Sequence, residues 1–344
     1  MTGSEQDRLP SATYTHLLAM TTDIGVYEHA YLRHPRLEHG YCTDDVARAL
    51  AVVVREPELT SDLERVTDIY LRFLEGAVTP NGTMHNRLAV SGRWLDASGT
   101  DDMWGRAITG LGAAVRWASN AAIRDRAFTA FMRAAQCRSV DVRASAFAAV
   151  GAADVIFVRP DCDAAHDLLV DCLGRLPRGI GKHWQWPESR LRYANATLCQ
   201  ALIVGGEALQ DVDTLNQGLT HLAVLLGLET SPDGHLSLAG TNGRGPDDEG
   251  SLWDQQPIEA AAIAAACLEA VRITGDPRWA TGVNQAWAWF TGDNDSATAM
   301  YDPSDGAGYD GLERDGRNEN CGAESTLAAL STLQDIRALS AMAT

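Results

Sequence analysis

The chain alternates two kinds of helical segment, and this alternation limits its fold more than any other feature. Six pairs of segments show 3.6-residue hydrophobic periodicity. The first of each pair is amphipathic, with its charges on one side: residues 10–22, 61–77, 122–136, 163–175, 212–228 and 277–291. In "SDLERVTDIYLRFLEGA" the apolar stripe is Leu63, Val66, Ile69, Tyr70 and Phe73. The second of each pair is rich in alanine and nearly free of charge after its first turn: 44–55, 102–117, 143–156, 194–205, 256–273 and 322–335. "PIEAAAIAAACLEAV" and "RASAFAAVGAADVIF" are the clearest cases. A helix that is apolar nearly all round is buried, and small side chains let such helices pack closely about a common centre. Six of them inside six amphipathic partners make an all-α fold, an (α/α)6 barrel or six-hairpin toroid, with residues 1–344 as one domain. The alternatives are a prenyltransferase-like α/α toroid and an open helical-repeat solenoid. A solenoid calls for a stronger sequence repeat than this chain has.

The connections are of two kinds. Links from inner to outer helices are short, such as "SNAA" and "ITGDP". Links from outer to inner helices are long and rich in Gly, Trp, Tyr, His and carboxylates; only "CRSVDV" is short. In a ring of paired helices all six outer-to-inner links lie on one end, and long loops in a compact domain are usually functional. The expectation is a loop-walled cup at the N-termini of the inner helices and a closed, plain opposite end. Sheet is expected only as short hairpins near 82–95 and 234–241.

Carboxylates gather where that cup would be. The first inner helix opens on Asp44 and Asp45 in "HGYCTDDVARAL", the second on Asp101 and Asp102 in "GTDDMWGRA". Glu188 precedes the fourth, Asp254 and Gln255 the fifth, and Glu319 and Glu324 flank the start of the sixth. Acids suit a helix's first turn in any case, because they meet its unpaired N–H groups and its positive dipole end. Capping alone explains less well why Thr-Asp-Asp occurs twice, each time with an arginine about a turn on (Arg48, Arg106), placed to hold a carboxylate. Tyr41, Trp94, Trp104, Trp184, Trp186, Tyr193, Trp253, Tyr301 and Tyr309 accompany the acids. Aromatic faces stack on sugar C–H faces, and paired acids supply a proton plus a base or nucleophile.

Hairpins one and four face each other across a six-fold ring, as do two and five. Asp45 with Glu188, and Asp102 with Asp254, are therefore the expected cross-cup pairs. Glu188, flanked by Trp184, Trp186 and Pro187, is the expected general acid, because desolvation raises a carboxyl's proton affinity. Asp45 or Asp102 would be base or nucleophile. Asp44, Arg48, Trp104, Arg106, Trp184, Trp186, Tyr193, Asp254, Gln255 and Glu324 would bind substrate or orient the acids.

A net charge of -18 argues against nucleic acid and anionic membranes as partners, and no apolar run reaches the length of a membrane span. The polar start "MTGSEQDRLP" and seven cysteines without a C-x-x-C suggest a cytoplasmic protein with reduced thiols. The expected partner is an oligosaccharide or glycan, with a homodimer left open; no cofactor and no metal are expected. The Asp-Asp pairs lack the D-D-x-x-D spacing of Mg-dependent terpene synthases. Cys42 and Cys321 with His39 could approach zinc, but buried thiols are the simpler reading. His85, His183 and His235 could act as bases in a sugar isomerase or epimerase. The cup could also bind a glycan without cleaving it.

The segments "HGYCTDDVARAL", "RWLDASGTDDMWGRAITGLGA", "WPESRLRYANATLCQAL", "WDQQPIEAAAI" and "YDGLERDGRNENCGAESTLAAL" carry a resemblance from residue 39 to about 330. The chain resembles a bacterial family of six-hairpin glycosidase-like barrels, often known only as glycosyltransferase-associated or hypothetical proteins. That resemblance implies glycoside hydrolysis or related sugar chemistry by carboxylates at this end of the barrel. Val46, Ala194, Met103 and Trp104 stand where the family pattern has Asn, Asp, a small polar residue and His. The change at Ala194 removes one carboxylate beside Tyr193.

Overall fold

The computed structural model describes residues 9–248 and 250–342; most of the polar N-terminal stretch lies outside them. The alanine-rich segments form the inner helices α2 (Thr43–Val54), α4 (Asp102–Trp117), α6 (Val142–Val158), α8 (Asn195–Ala208), α10 (Pro257–Thr274) and α12 (Ala323–Met342). The amphipathic segments form α1 (Thr15–Ala19), α3 (Ser61–Ala77), α5 (Ala121–Ala134), α7 (Asp163–Leu173), α9 (Val212–Glu229) and α11 (Pro277–Thr291). Each inner helix packs on the next, and α12 returns to α2, which closes the ring. Each of α3, α5, α7, α9 and α11 covers the inner helix before it, while α1 covers α12. This is the expected (α/α)6 barrel.

Small residues set how tightly the inner ring closes. A methyl group on Gly151 of α6 would overlap the carbonyl oxygen of Ile108, and one on Gly112 of α4 would overlap the carbonyl of Gly151. The backbones of α4 and α6 therefore touch directly. The joint between α2 and α12 is of another kind. Arg48 and Arg55, two turns apart on α2, reach Glu324 and Asp335, three turns apart on α12. The ring is thus fastened by two ion pairs where its first and last inner helices meet.

Three expectations need correction. The first outer helix is far shorter than residues 10–22. Thr22 Oγ1 accepts from the backbone N–H of Ile24 at 3.1 Å, and this local bond turns the chain out of helix. Sheet is more widespread than two loop hairpins. Among the described residues, β1 (Ala30–Tyr31) pairs with β2 (His34–Pro35), β3 (Tyr41–Cys42) with β4 (Arg87–Leu88), β5 (Tyr301–Asp302) with β6 (Ala307–Gly308), and β7 (Gly311–Glu313) with β8 (Gly316–Asn318). Loop 82–95 gives its strand to the preceding loop, and the region near 234–241 contributes isolated bridges such as Thr230 to Leu236. Finally, the end away from the loops is not plain. A chamber of about 540 Å³ opens there, with lining from all six inner helices. Arg55, Arg116, Asp154, Glu269 and Asp335 stand near the C-terminal ends of these helices, and ionic groups pair with one another rather than collapse into an apolar plug.

Candidate active site

Pairing of β3 with β4 fixes where α2 begins. Thr43 donates its N–H to the carbonyl of Asn86 and its hydroxyl to the carbonyl of His85 at 2.7 Å. Asp44 and Asp45 therefore enter the cup from an anchored turn. The outer helices α3, α5, α9 and α11 are capped by the side chains of Thr60, Asn120, Asp211 and Asp276. The inner helices α2, α4, α8 and α10 start on residues whose side chains make no capping bond. Of the inner helices, α6 is capped by an acid, Asp141, and it is the one reached by the short loop. The acids beneath the long loops are free for other contacts.

The cup holds about 290 Å³ between α2, α12 and the lead-in to α10. Its wall carries the carboxylates of Glu28, Asp44, Asp45, Asp254, Asp310 and Glu324, with Arg48 as the guanidinium among them. Asp45 is 3% exposed. Arg48 donates one N–H group to Asp45 and another to Glu324, the latter at 2.6 Å. Burial, only partly offset by Arg48, pushes Asp45 up to about 7. Burial also raises Asp254, with Glu313 adding to it. Asp44 Oδ1 and Asp254 Oδ1 accept no hydrogen bond from the protein. Arg106 closes the floor, 3.8 Å from Asp44, with its guanidinium 3.9 Å from the ring centre of Phe147. Below it an axial bore of about 180 Å³ continues between the inner helices and shares Arg48 and Glu324 with the cup.

Of the residues singled out from the sequence, Asp44, Asp45, Arg48, Asp254 and Glu324 come together here, with Arg106 beside them. Asp102 stands on the adjoining wall, where it accepts from the hydroxyl of the half-exposed Tyr193 and burial raises its proton affinity. The other residues are placed differently. Glu188 pairs with Arg143 at 2.7 Å and is not among the residues lining the cup. Arg143 enters on α6 and is 4% exposed, so it requires an anion, and Glu188 supplies it. Asp254 lines the cup, and Asp102 is not among its lining residues. Trp104 is fully buried and donates to the carbonyl of Ala134 at 3.1 Å. Trp186 is buried in the core near His221, and Trp184 donates to the Glu188 carbonyl while lining a groove on the outside of α9. Gln255 is buried between Asp295 and Trp289, so Gln256 is the glutamine on the cup wall.

The sequence did not point to Glu28, Asp310 or Glu259. Glu28 pairs with Arg87, and Asp310 accepts from Gly322 N–H at 2.7 Å and from the Ser325 hydroxyl, which holds the start of α12. Glu259, 3% exposed, accepts from the backbone N–H groups of Ala194 and Asn195. It thus supplies a carboxylate where Ala194 has none. Its place in the first turn of an alanine-rich helix, two residues after Pro257, was the available signal.

Glu28, Cys42 and Asp45 offer ligand atoms within 4.8 Å of one another. Arg87 and Arg48 already pair with the two carboxylates, and burial pushes the Cys42 thiol well up. Guanidinium groups thus occupy the cation positions. Arg48→Ala should therefore lower stability by about 3 kcal/mol at pH 8, because a buried carboxylate loses its partner. The loss should shrink at pH 5, where Asp45 holds a proton. Urea midpoints at both pH values check this; equal midpoints for variant and parent at pH 8 would contradict it.

No protein-family model and no curated protein sequence matches the chain. Solved structures do. The cellobiose 2-epimerase of Bacillus thermoamylovorans B4167 superimposes with a TM-score of 0.68 at 13% identity, covering 94% of this chain and 95% of the other. A D-mannose isomerase gives 0.69 at 10% identity, covering 95% of each chain. A variant of the α-1,6-mannanase of Salegentibacter sp. HEL1_6, complexed with α-1,6-mannotetrose, gives 0.64 at 10% identity, covering 94% and 96%. This likeness establishes the shared barrel fold. Among the described residues no helix is long and apolar enough to cross a membrane.

Proposed function

We propose that the protein is a carbohydrate-active enzyme that hydrolyses a glycosidic bond in an oligosaccharide or glycan. Asp45 protonates the departing oxygen, and a neighbouring carboxylate, Asp44 or Glu324, acts as base or nucleophile. The observation that carries this proposal is Asp45 itself. A buried carboxyl with a pKa near 7 holds a proton at neutral pH, as a general acid must. Arg48 binds both Asp45 and Glu324, so the two carboxylates lie within the span of one guanidinium. That is compatible with the separation of about 5–10 Å that glycosidases use. The mannanase offers support, since its variant lacking two consecutive aspartates is inactive; Asp44 and Asp45 are the consecutive pair in this cup.

Two of the compared proteins are an epimerase and an isomerase, so isomerisation of a free sugar is the second reading. Imidazoles in the cup count against it. His29 is the histidine on the cup wall, while His85 stacks on Trp94, His183 lies on the outer groove and His235 pairs with Asp295. The deciding experiment incubates the protein with α- and β-linked gluco- and manno-oligosaccharides and with free reducing sugars. New reducing ends are expected. Epimers formed without cleavage would replace hydrolysis by isomerisation. Binding by calorimetry with neither product would make the cup a binding module.

A further inference from the structure

The chamber at the end of the barrel away from the cup is the larger of the two, about 540 Å³ against about 290 Å³. Three carboxylates on its wall, Asp154, Glu269 and Asp335, influence one guanidinium, Arg55, which pairs with Asp335. The other carboxylates of the lining have arginines beside them. Arg116 bonds Asp154 while lying 4.6 Å from the ring centre of Trp117 and 4.5 Å from that of Phe157. Arg272 divides between Glu207 and Glu269, and Arg337 stands 3.6 Å from Glu56.

Two acceptors in this lining have no donor. Asp335 is 1% exposed; its Oδ1 takes the Arg55 bond and its Oδ2 takes none. Gln334 is 7% exposed. Its amide nitrogen donates to the Val52 carbonyl at 2.9 Å and to the Tyr14 hydroxyl at 3.1 Å, which fixes the amide's orientation and leaves Oε1 without a partner. Buried acceptors left unpaired are costly, and these two adjoin a chamber with room for a small molecule. Val204, Leu268 and the half-exposed Trp117 give the same chamber apolar walls.

We propose that this chamber is a second binding site, which takes a small organic amine. The ammonium group donates to Asp335 Oδ2 and Gln334 Oε1, and Asp154 and Glu269 stand on the same wall. The hydrocarbon part lies along Val204, Leu268 and Trp117. A neutral alcohol brings one donor and no charge, and an anion has no donor for these two acceptors. Burial raises Asp335 and pushes Asp154 up to about 6, so a cation would relieve carboxylates that are short of solvent. Amine binding should therefore weaken as pH falls below about 6, where Asp154 takes a proton.

The probes are benzylammonium and hexylammonium, each with its alcohol counterpart, titrated by calorimetry at pH 8 and pH 5. The expected result is saturable amine binding at pH 8, with the alcohols at least about tenfold weaker. Ala338→Trp fills the mouth from an exposed position of α12, and Glu269→Gln removes one charge at the wall. Both should weaken amine binding at least about tenfold while melting like the parent protein. Equal binding of alcohols and amines overturns the assignment. So does amine binding that both variants retain in full, or its absence up to about 10 mM amine.

Discussion

Asp45→Asn should lower turnover by about 10²–10⁴-fold, the usual contribution of a positioned general acid. An amide keeps the shape of the carboxyl but has no acidic proton to give. In the parent protein kcat/KM should fall as pH rises through about 7, because Asp45 must be protonated to act. In the variant that limb should disappear. Loss of the fold would also abolish turnover, and the stability profile separates the two. The folded chain raises Asp45 from its ordinary 3.8 to about 7, so the folded state binds this proton more tightly than the unfolded one. The stability that follows is complete below about pH 3.8 and is lost as pH rises through about 7. The variant lacks this dependence, so its stability relative to the parent should improve between pH 5 and pH 8. Turnover near the parent's level, with the alkaline limb intact, would remove Asp45 as the acid and return the search to Asp102 and Asp254.

Gly151→Val should prevent the barrel from forming a stable native state. Any Cβ there meets the Ile108 carbonyl oxygen and the Thr109 Cα, which are backbone atoms that no rotamer change can move. The helices would have to separate along the α4–α6 contact, where Gly105 and Gly112 are equally close to α6 backbone. Overpacking a core costs about 1–3 kcal/mol where side chains can yield; here they cannot, so the loss should exceed that range. It is a large fraction of a total of about 5–15 kcal/mol. Gly76→Ala on α3 is the control. Nothing lies within 4 Å of its Cβ, and exchanging Gly for Ala in a helix favours folding by about 0.5–1 kcal/mol. Thermal melts and soluble yield of the two variants give the comparison. A Gly151→Val protein that melts within a few degrees of its parent would refute the close contact.

The barrel was legible because it depends on periodicity, which is local. Ten of the twelve helices among the described residues fall within a few residues of their expected bounds, since each buried face repeats along the chain. Of the other two, α12 runs seven residues past its expected end, and α1 ends early because the hydroxyl of Thr22 competes for backbone N–H groups, which a hydrophobic pattern does not register. The cup was legible in part. Asp44, Asp45, Arg48, Asp254 and Glu324 stand at helix starts, where the ring sets direction. Glu188 and Trp186 sit in a loop instead, and loop paths follow long-range partners. There the buried Arg143 decided where Glu188 would go. The choice between Gln255 and Gln256 depended on bridges to Gly240 and Leu312, far along the chain. The charged C-terminal ends of the inner helices were visible, but an expectation of a plain end left them unread.

The clasp between α2 and α12 bears on how the protein folds. Arg48 and Glu324 are 276 residues apart, Arg55 and Asp335 280. The other inner contacts join helices adjacent in the chain's sequence of hairpins, so an open arc of hairpins can assemble by successive short closures. Bringing its two ends together is the one step with a very long loop, and such contacts gain nothing until the loop entropy has been overcome. The clasp therefore forms late. Because the mouth of the cup runs along this joint, Asp45 and Glu324 come within reach of one another only when the ring shuts. An arc already rich in helix would still lack the site, and the return of activity during refolding should lag behind the return of helical signal.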